Sequence, residues 1–221
     1  MPQQMDYKPR IGVLDLQGAV REHVNLLTAA GAEVVRIKWP AELRGLDGLV
    51  IPGGESTAIG KLMDHYGFFE PVREAYRAGM AIYGTCAGLI LLAKEIEGGG
   101  EISRTQPRLG LMDIVANRNA FGRQRESFEA DLDIPEITGA GATGVTGAGG
   151  SSGAGANGRP FHAVFIRAPY VDHVYGEAKV MATFDEKIVM AHQERLLVTA
   201  FHPELTGDDR VHRYFIKMAT A

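Results

Sequence analysis

The only cysteine of the chain, Cys86, stands in Tyr83-Gly84-Thr85-Cys86-Ala87-Gly88-Leu89, between two glycines and directly after a short apolar run. An apolar strand entering Gly-x-Cys-x-Gly and continuing as a helix is the thiol form of a nucleophile elbow: the small residues permit a strained turn and close approach by other backbone. A helix N-terminus and a neighbouring imidazole both favour the thiolate, which is the form that attacks a carbonyl carbon. His202-Pro203-Glu204 offers that imidazole and a carboxylate to orient it. The apolar run Leu196 to Phe201 would carry His202 to a strand end, and Pro203 stiffens the backbone so that Glu204 turns back toward the ring. Charge developing on the attacked oxygen needs N–H donors, and Pro52-Gly53-Gly54-Glu55-Ser56, after another apolar run, supplies one at Gly54. The N–H of Ala87 is the natural second. The expected chemistry is acyl transfer by Cys86, His202 and Glu204, with Gly54 and Ala87 as the oxyanion hole. A plainer reading stays open at this point: a buried thiol at a strand–helix junction, a strand-end histidine, and a loop that only caps a helix.

The surrounding pattern is that of an α/β sheet. Arg10–Leu16 reads as a strand, Ala19–Gly31 as a helix, Glu33–Ile37 and Leu46–Ile51 as strands, and Thr57–Tyr66 and Phe69–Ala78 as helices. Met80–Tyr83 is the strand before the elbow, and Cys86–Lys94 reads as the helix after it. Alternation of this kind predicts βαβ units and a parallel sheet covered on both faces. The second half is richer in strands: Leu109–Asn117, Ser127–Leu132, Ala163–Arg167, Ala178–Phe184, Lys187–Ala191 and Leu196–Phe201, closing with a helix over Asp208–Met218. Residues 138–158, almost all glycine, alanine, serine and threonine, read as a flexible surface insertion in one domain spanning 1–221.

At 221 residues, 45% hydrophobic and 23% charged, the chain can bury one sizeable core. A net charge of −4 with scattered basic residues gives nucleic acid nothing to recognise. No apolar run approaches the roughly 20 residues needed to cross a bilayer, and the polar first residues lack a signal-peptide core, so the expectation is a cytoplasmic protein. A lone cysteine excludes an internal disulfide and a CxxC metal site, and the seven histidines show no metal-ligand spacing. Two dinucleotide-type patterns, starting at Gly139 and Gly153, neither follow a strand nor open a helix. Gly53 to Lys61 imitates a phosphate-binding loop, but with one residue too many before Gly60-Lys61 and with Leu62 where a Ser or Thr would bind magnesium.

PGGES at Pro52–Ser56, YGTCAGL at Tyr83–Leu89 and FHPEL at Phe201–Leu205 together resemble the triad-type, class I glutamine amidotransferases. Further segments, GVLDLQGAVREH at Gly12–His23, NRNAFGRQRESFEADL at Asn117–Leu132, VFIRAP at Val164–Pro169 and FHPELTGDDRVH at Phe201–His212, are similar to the glutaminase subunits of pyridoxal 5′-phosphate synthases. The resemblance covers nearly the whole chain and implies a flavodoxin-like three-layer fold, with a mostly parallel central sheet and additional antiparallel strands. It implies that Cys86 attacks the carboxamide of L-glutamine, forming a thioester and ammonia, while His202 moves protons and Glu204 orients it. Glutamine would be held by Gly54, Glu55 and Ser56, by Arg118, and by Ile166 and Arg167. Gln17 would sit where the oxyanion loop meets a partner, a separate (β/α)8 synthase subunit that receives the ammonia in a large hetero-oligomer. No cofactor or metal is implied for this chain. The alternatives are a glutaminase serving another synthase, a partner-independent cysteine hydrolase, and a non-catalytic flavodoxin-like module.

Overall fold

A computed structural model of the chain describes residues 7–101, 105–118, 127–138 and 159–221. The glycine–alanine stretch from 139 to 158, with both dinucleotide-type patterns, lies outside the described residues, as does Asn119 beside Arg118. Strand β1 (Arg10–Leu14) leads through a Gly18 turn into helix α1 (Val20–Ala29) and strand β2 (Glu33–Ile37). Strand β3 (Gly48–Ile51) precedes helices α2 (Ser56–His65) and α3 (Phe69–Arg77), and strand β4 (Ala81–Thr85) precedes helix α4 (Ala87–Leu92). These follow the expected order. The bounds contract where turn residues intervene: Gly110 at φ 63° delays the strand expected from Leu109, β6, to Met112–Asn117.

The main sheet is ten-stranded, ordered β2-β1-β3-β4-β12-β11-β9-β6-β5, with β10 beside β11. Here β5 is Ala93–Glu97, β9 Tyr170–Val174, β10 Lys179–Phe184, β11 Lys187–Gln193 and β12 Leu196–Thr199. The block β2-β1-β3-β4-β12 is parallel throughout, and β11, β9 and β6 continue it antiparallel. Strands β7 (Ser127–Leu132) and β8 (Phe161–Ile166) form a separate antiparallel ribbon, with the short helix α5 (Pro135–Thr138) after β7. From β1 the chain moves one way to β2, and from β3 it moves the other way to β4, so right-handed crossovers place α1 and α2 on opposite faces. Helix α1 packs beside the terminal helix α6 (Arg210–Ala219), and α2 beside α4. Covered on both sides, β3, β4 and β12 are buried at every residue, as their unbroken apolar runs require.

The short helix α5 was not expected, since the sequence reads Thr138 as the start of the insertion, and two strands also depart from expectation. The helix read over Cys86–Lys94 stops at Leu92, and Ala93–Glu97 is extended because it pairs in parallel with β6 from Ala93↔Met112 onward. Tertiary pairing there overrides the helical leaning of Lys94, Glu95 and Glu97. Strand β9 was not expected at all; it fills the gap between β6 and β11, and Asp172 and His173 hide its apolar alternation in the sequence.

Register sets the site. Ile51 pairs with Gly84 and Thr199 with Thr85, so the segments after β3, β4 and β12 leave the sheet side by side. The strand ends of β1 and β3 flank the point where the chain reverses direction, the usual place for a crevice in an open parallel sheet. No described helix is long and apolar enough to cross a membrane.

Candidate active site

Cys86 holds φ 48° and ψ −99°, between β4 and α4. A non-glycine residue there is strained by about 1–3 kcal/mol, a cost the surrounding packing must hold in place. The two glycines do this. A Cβ on Gly88 would fall 2.3 Å from the carbonyl oxygen of Ile51, and one on Gly84 would fall 2.5 Å from the Gly88 carbonyl carbon. The Cys86 N–H donates to the Thr199 carbonyl at 2.8 Å, tying the elbow to β12.

His202 follows β12 and opens a 3-10 turn, Pro203–Leu205, that carries Glu204. Its backbone N–H donates to Val164 at 2.8 Å, while its Nδ1 lies 2.7 Å from Glu204 Oε1. The imidazole and the Cys86 thiol line the same cavity, and the thiol is among the neighbours that favour charge on the ring. With Nδ1 committed to the carboxylate, Nε2 is the nitrogen left for sulfur. Cys86 and His202 are each 8% exposed and Glu204 is 5% exposed, so the line runs from a cavity wall into the core. Burial opposes charge on His202, but the neighbouring thiol and the Glu204 carboxylate outweigh it and hold the imidazole up to about 10. Burial likewise raises Glu204, yet His23 and His202 together bring it below the usual carboxylate range.

A cavity of about 550 Å³ opens on Cys86 and His202, and its walls include Gln17, Gly54, Glu55, Ser56, Ala87, Arg118, Ile166 and Arg167. Every residue expected from the sequence therefore meets there except Glu204, which lies behind His202. The N–H groups of Gly54 and Ala87 make no hydrogen bond among the described residues. The Gly53–Glu55 loop is held from β1: Gln17 Oε1 accepts from the Glu55 N–H at 3.0 Å, and Ala19 donates to the Gly53 carbonyl at 3.2 Å. Gly18, at φ 110°, allows that approach, since a Cβ there would lie 1.9 Å from the same carbonyl oxygen.

The remaining side chains are partly committed to one another. Glu55 caps α2 by accepting from Thr57 N at 3.0 Å and Ala58 N at 2.6 Å. Arg118 reaches Glu55 at 3.4 Å and donates to Gln106 at 2.9 Å and Thr57 at 3.3 Å, while Ser56 donates to Gln106 at 3.3 Å. Gln106, a buried anchor of Arg118, gave no sequence signal. Arg167 takes φ 42° directly after β8, turning the chain at the cavity rim. Sequence reasoning also missed two buried histidines behind Glu204, His23 and His212, although each closes one of the quoted segments.

A thiol elbow backed by an imidazole–carboxylate pair, on the carboxyl edge of an open parallel α/β sheet, is the architecture of the cysteine-dependent amidotransferase and hydrolase class. Within that class, the chain belongs to the SNO glutamine amidotransferase family, whose model matches residues 13–221. It is similar to the pyridoxal 5′-phosphate synthase subunit PdxT of Pelotomaculum thermopropionicum, 53% identical over 208 residues that cover 94% of each chain. The PdxT subunit of Moorella thermoacetica is 51% identical over 209 residues, 95% of this chain and 98% of that one. A solved glutamine amidotransferase superposes with a TM-score of 0.80 at 42% identity, covering 96% of this chain and 99% of that one.

Proposed function

We propose that this chain is the glutaminase subunit of a pyridoxal 5′-phosphate synthase, hydrolysing L-glutamine through Cys86, His202 and Glu204. The observation that carries the reading is the strained Cys86 facing an imidazole whose far nitrogen is 2.7 Å from a buried carboxylate. Cys86 Sγ passes its proton to His202 and attacks the carboxamide carbon, and the oxygen turns negative toward the N–H groups of Gly54 and Ala87. His202 gives its proton to the departing amine, so ammonia leaves and a γ-glutamyl thioester remains. Water, deprotonated by His202, then attacks the thioester and releases glutamate, restoring the thiol. Glu204 accepts the Nδ1–H of the ring throughout, which leaves Nε2 to take and give the moving proton. Arg118 and the Ile166–Arg167 turn face the carboxylate and ammonium end of glutamine, and Gly54, Glu55 and Ser56 close over it.

The PdxT relatives are named as synthase subunits, so the ammonia acceptor belongs to another chain. Gln17, exposed and bonded to the Glu55 N–H, sets the oxyanion loop where a partner can press on it. Mixing the protein with a pyridoxal 5′-phosphate synthase subunit should raise glutamate release at least about tenfold over the protein alone, equivalent to about 1.4 kcal/mol. Glutamate release at the same rate with and without the synthase would instead make the chain a self-sufficient hydrolase.

The raised His202 also sets a pH limit. The positive charge on the His202 ring is lost as pH rises through about 10. The alkaline limb of kcat/KM for glutamine should therefore bend near that pH, well above the range of an unperturbed imidazole. An alkaline limb near pH 7, measured with the synthase present, would show that His202 is not held by both neighbours.

A further inference from the structure

We propose that His23 is a positioning residue for the triad: its Nε2–H holds the second oxygen of Glu204, and His212 fixes the tautomer that makes this possible. The inference deepens the triad reading above and rests on it.

Glu204 Oε1 is taken by His202, and Oε2, though buried, makes no hydrogen bond among the described residues. The group within ion-pair distance of Oε2 is His23 Nε2, at 3.5 Å, on α1. The same nitrogen is 3.2 Å from Thr85 Oγ1, one residue before the nucleophile. On its other side, His23 Nδ1 is 2.9 Å from His212 Nε2, on α6. Both histidines are fully buried. Burial holds His23 below the ordinary imidazole range and His212 down to about 3, so both rings are neutral at pH 7.

Two neutral rings and one carboxylate favour one arrangement of protons over the other. A bare Nε2 lone pair facing a carboxylate oxygen would be repelled, so His23 carries its proton on Nε2. Its Nδ1 is then an acceptor and must receive the Nε2–H of His212. That leaves His212 Nδ1 as a bare acceptor, and it is the one His212 atom with no partner. An unfilled acceptor is the less costly of the two ways to leave a buried imidazole nitrogen alone. The bonds consequently point one way, from His212 to His23 to Glu204, with His202 approaching Glu204 from the other side. The 3.5 Å approach is long, and long bonds of this kind shorten when charge develops in the reacting complex.

The groups facing this line from the packed elements are Glu22 on α1, His202 beyond Glu204, and the Tyr83 ring on β4, 6.2 Å from His23. None of these offers Oε2 a second donor among the described residues. Without His23 the buried carboxylate loses the imidazole N–H that stands 3.5 Å from Oε2, so it takes up a proton at higher pH and is free to turn.

The test uses the full chain with the synthase subunit and compares His23→Leu with His23→Gln, which keeps a neutral N–H donor of similar reach. The Leu variant should lose kcat by about tenfold or more with KM changed less than about twofold, and its acid limb should move up by about one pH unit. The Gln variant should recover most of both. A folded Leu variant with wild-type kcat and acid limb overturns the proposal, and so does a Gln variant no better than Leu, which would make the role one of packing. A second readout needs no turnover: with 15N-labelled histidine, both His23 and His212 should show the neutral Nε2–H tautomer at pH 7. A His23 Nδ1–H tautomer, or His23 titrating near pH 6.5, overturns it even in an inactive preparation. Loss of glutamate release from wild-type protein with the tautomers as stated would instead count against the triad reading alone.

Discussion

Replacing Cys86 with alanine is expected to abolish glutamate release in the presence of the synthase subunit, by on the order of 10⁴-fold or more, with the fold retained. Both halves follow from the elbow. The substitution removes one buried sulfur atom and leaves Cβ in place, so the packing of Gly84 against Gly88 and of Gly88 against Ile51 is untouched. Alanine at φ 48° carries the same kind of backbone strain as cysteine, so thermal unfolding should move by only a few degrees. Chemistry stops because no other free nucleophile among the described residues borders the cavity at that point: Ser56, the hydroxyl on its wall, is bonded to Gln106. His202→Asn should come close to the same loss, and the double variant should be hardly worse than either single one, because residues acting as one unit do not add. A Cys86→Ala protein that still released glutamate at the wild-type rate would remove the thiol from the reaction.

Why was this constellation legible while its support was not? Cys86, His202 and Gly54 each sit where an apolar run meets small or stiff residues, and a strand end is a local pattern that survives in one dimension. The alternation of strands and helices over the first hundred residues implied that the strands before Gly54 and Cys86 are parallel neighbours, whereas the parallel pairing of β12 with β4 is a long-range event. His23 and His212 carry no such mark. They lie in the first turns of two amphipathic helices, 189 residues apart in sequence, and meet through the packing of α1 against α6. Nothing in either helix distinguishes a histidine bonded to its partner from one filling space. Gln106 is hidden for the same reason, being a loop residue whose meaning is set by Arg118 and Ser56. The missed strands β5 and β9 are also long-range events, since each is extended because of what pairs beside it and not because of its own residues.

Gly53→Ala is expected to cost about 10²-fold in kcat/KM while leaving the protein folded, the loss typical of an ångström-scale displacement of a catalytic group. The residue is not among those with a positive φ, so its backbone accepts a side chain; the obstacle lies across the cavity. A Cβ there would fall 2.5 Å from His202 Cε1, 3.1 Å from Nδ1 and 3.3 Å from Cys86 Cβ. The ring cannot move deeper, because Glu204 and the buried histidines stand behind it, so it must swing sideways and stretch the 2.7 Å bond to Glu204. Gly54 offers the contrast. Its added Cβ would meet the end of the Gln17 side chain at 2.4 Å, and that end lies at the exposed rim and can turn aside. Gly54→Ala should therefore weaken the hold of Gln17 on the loop and lose less activity than Gly53→Ala. Steady-state kinetics of the two variants with the synthase present decide the matter. If Gly53→Ala kept activity within about threefold of wild type, well short of the effect of a displaced base, the close fit of the oxyanion loop against His202 would not be what aligns the ring.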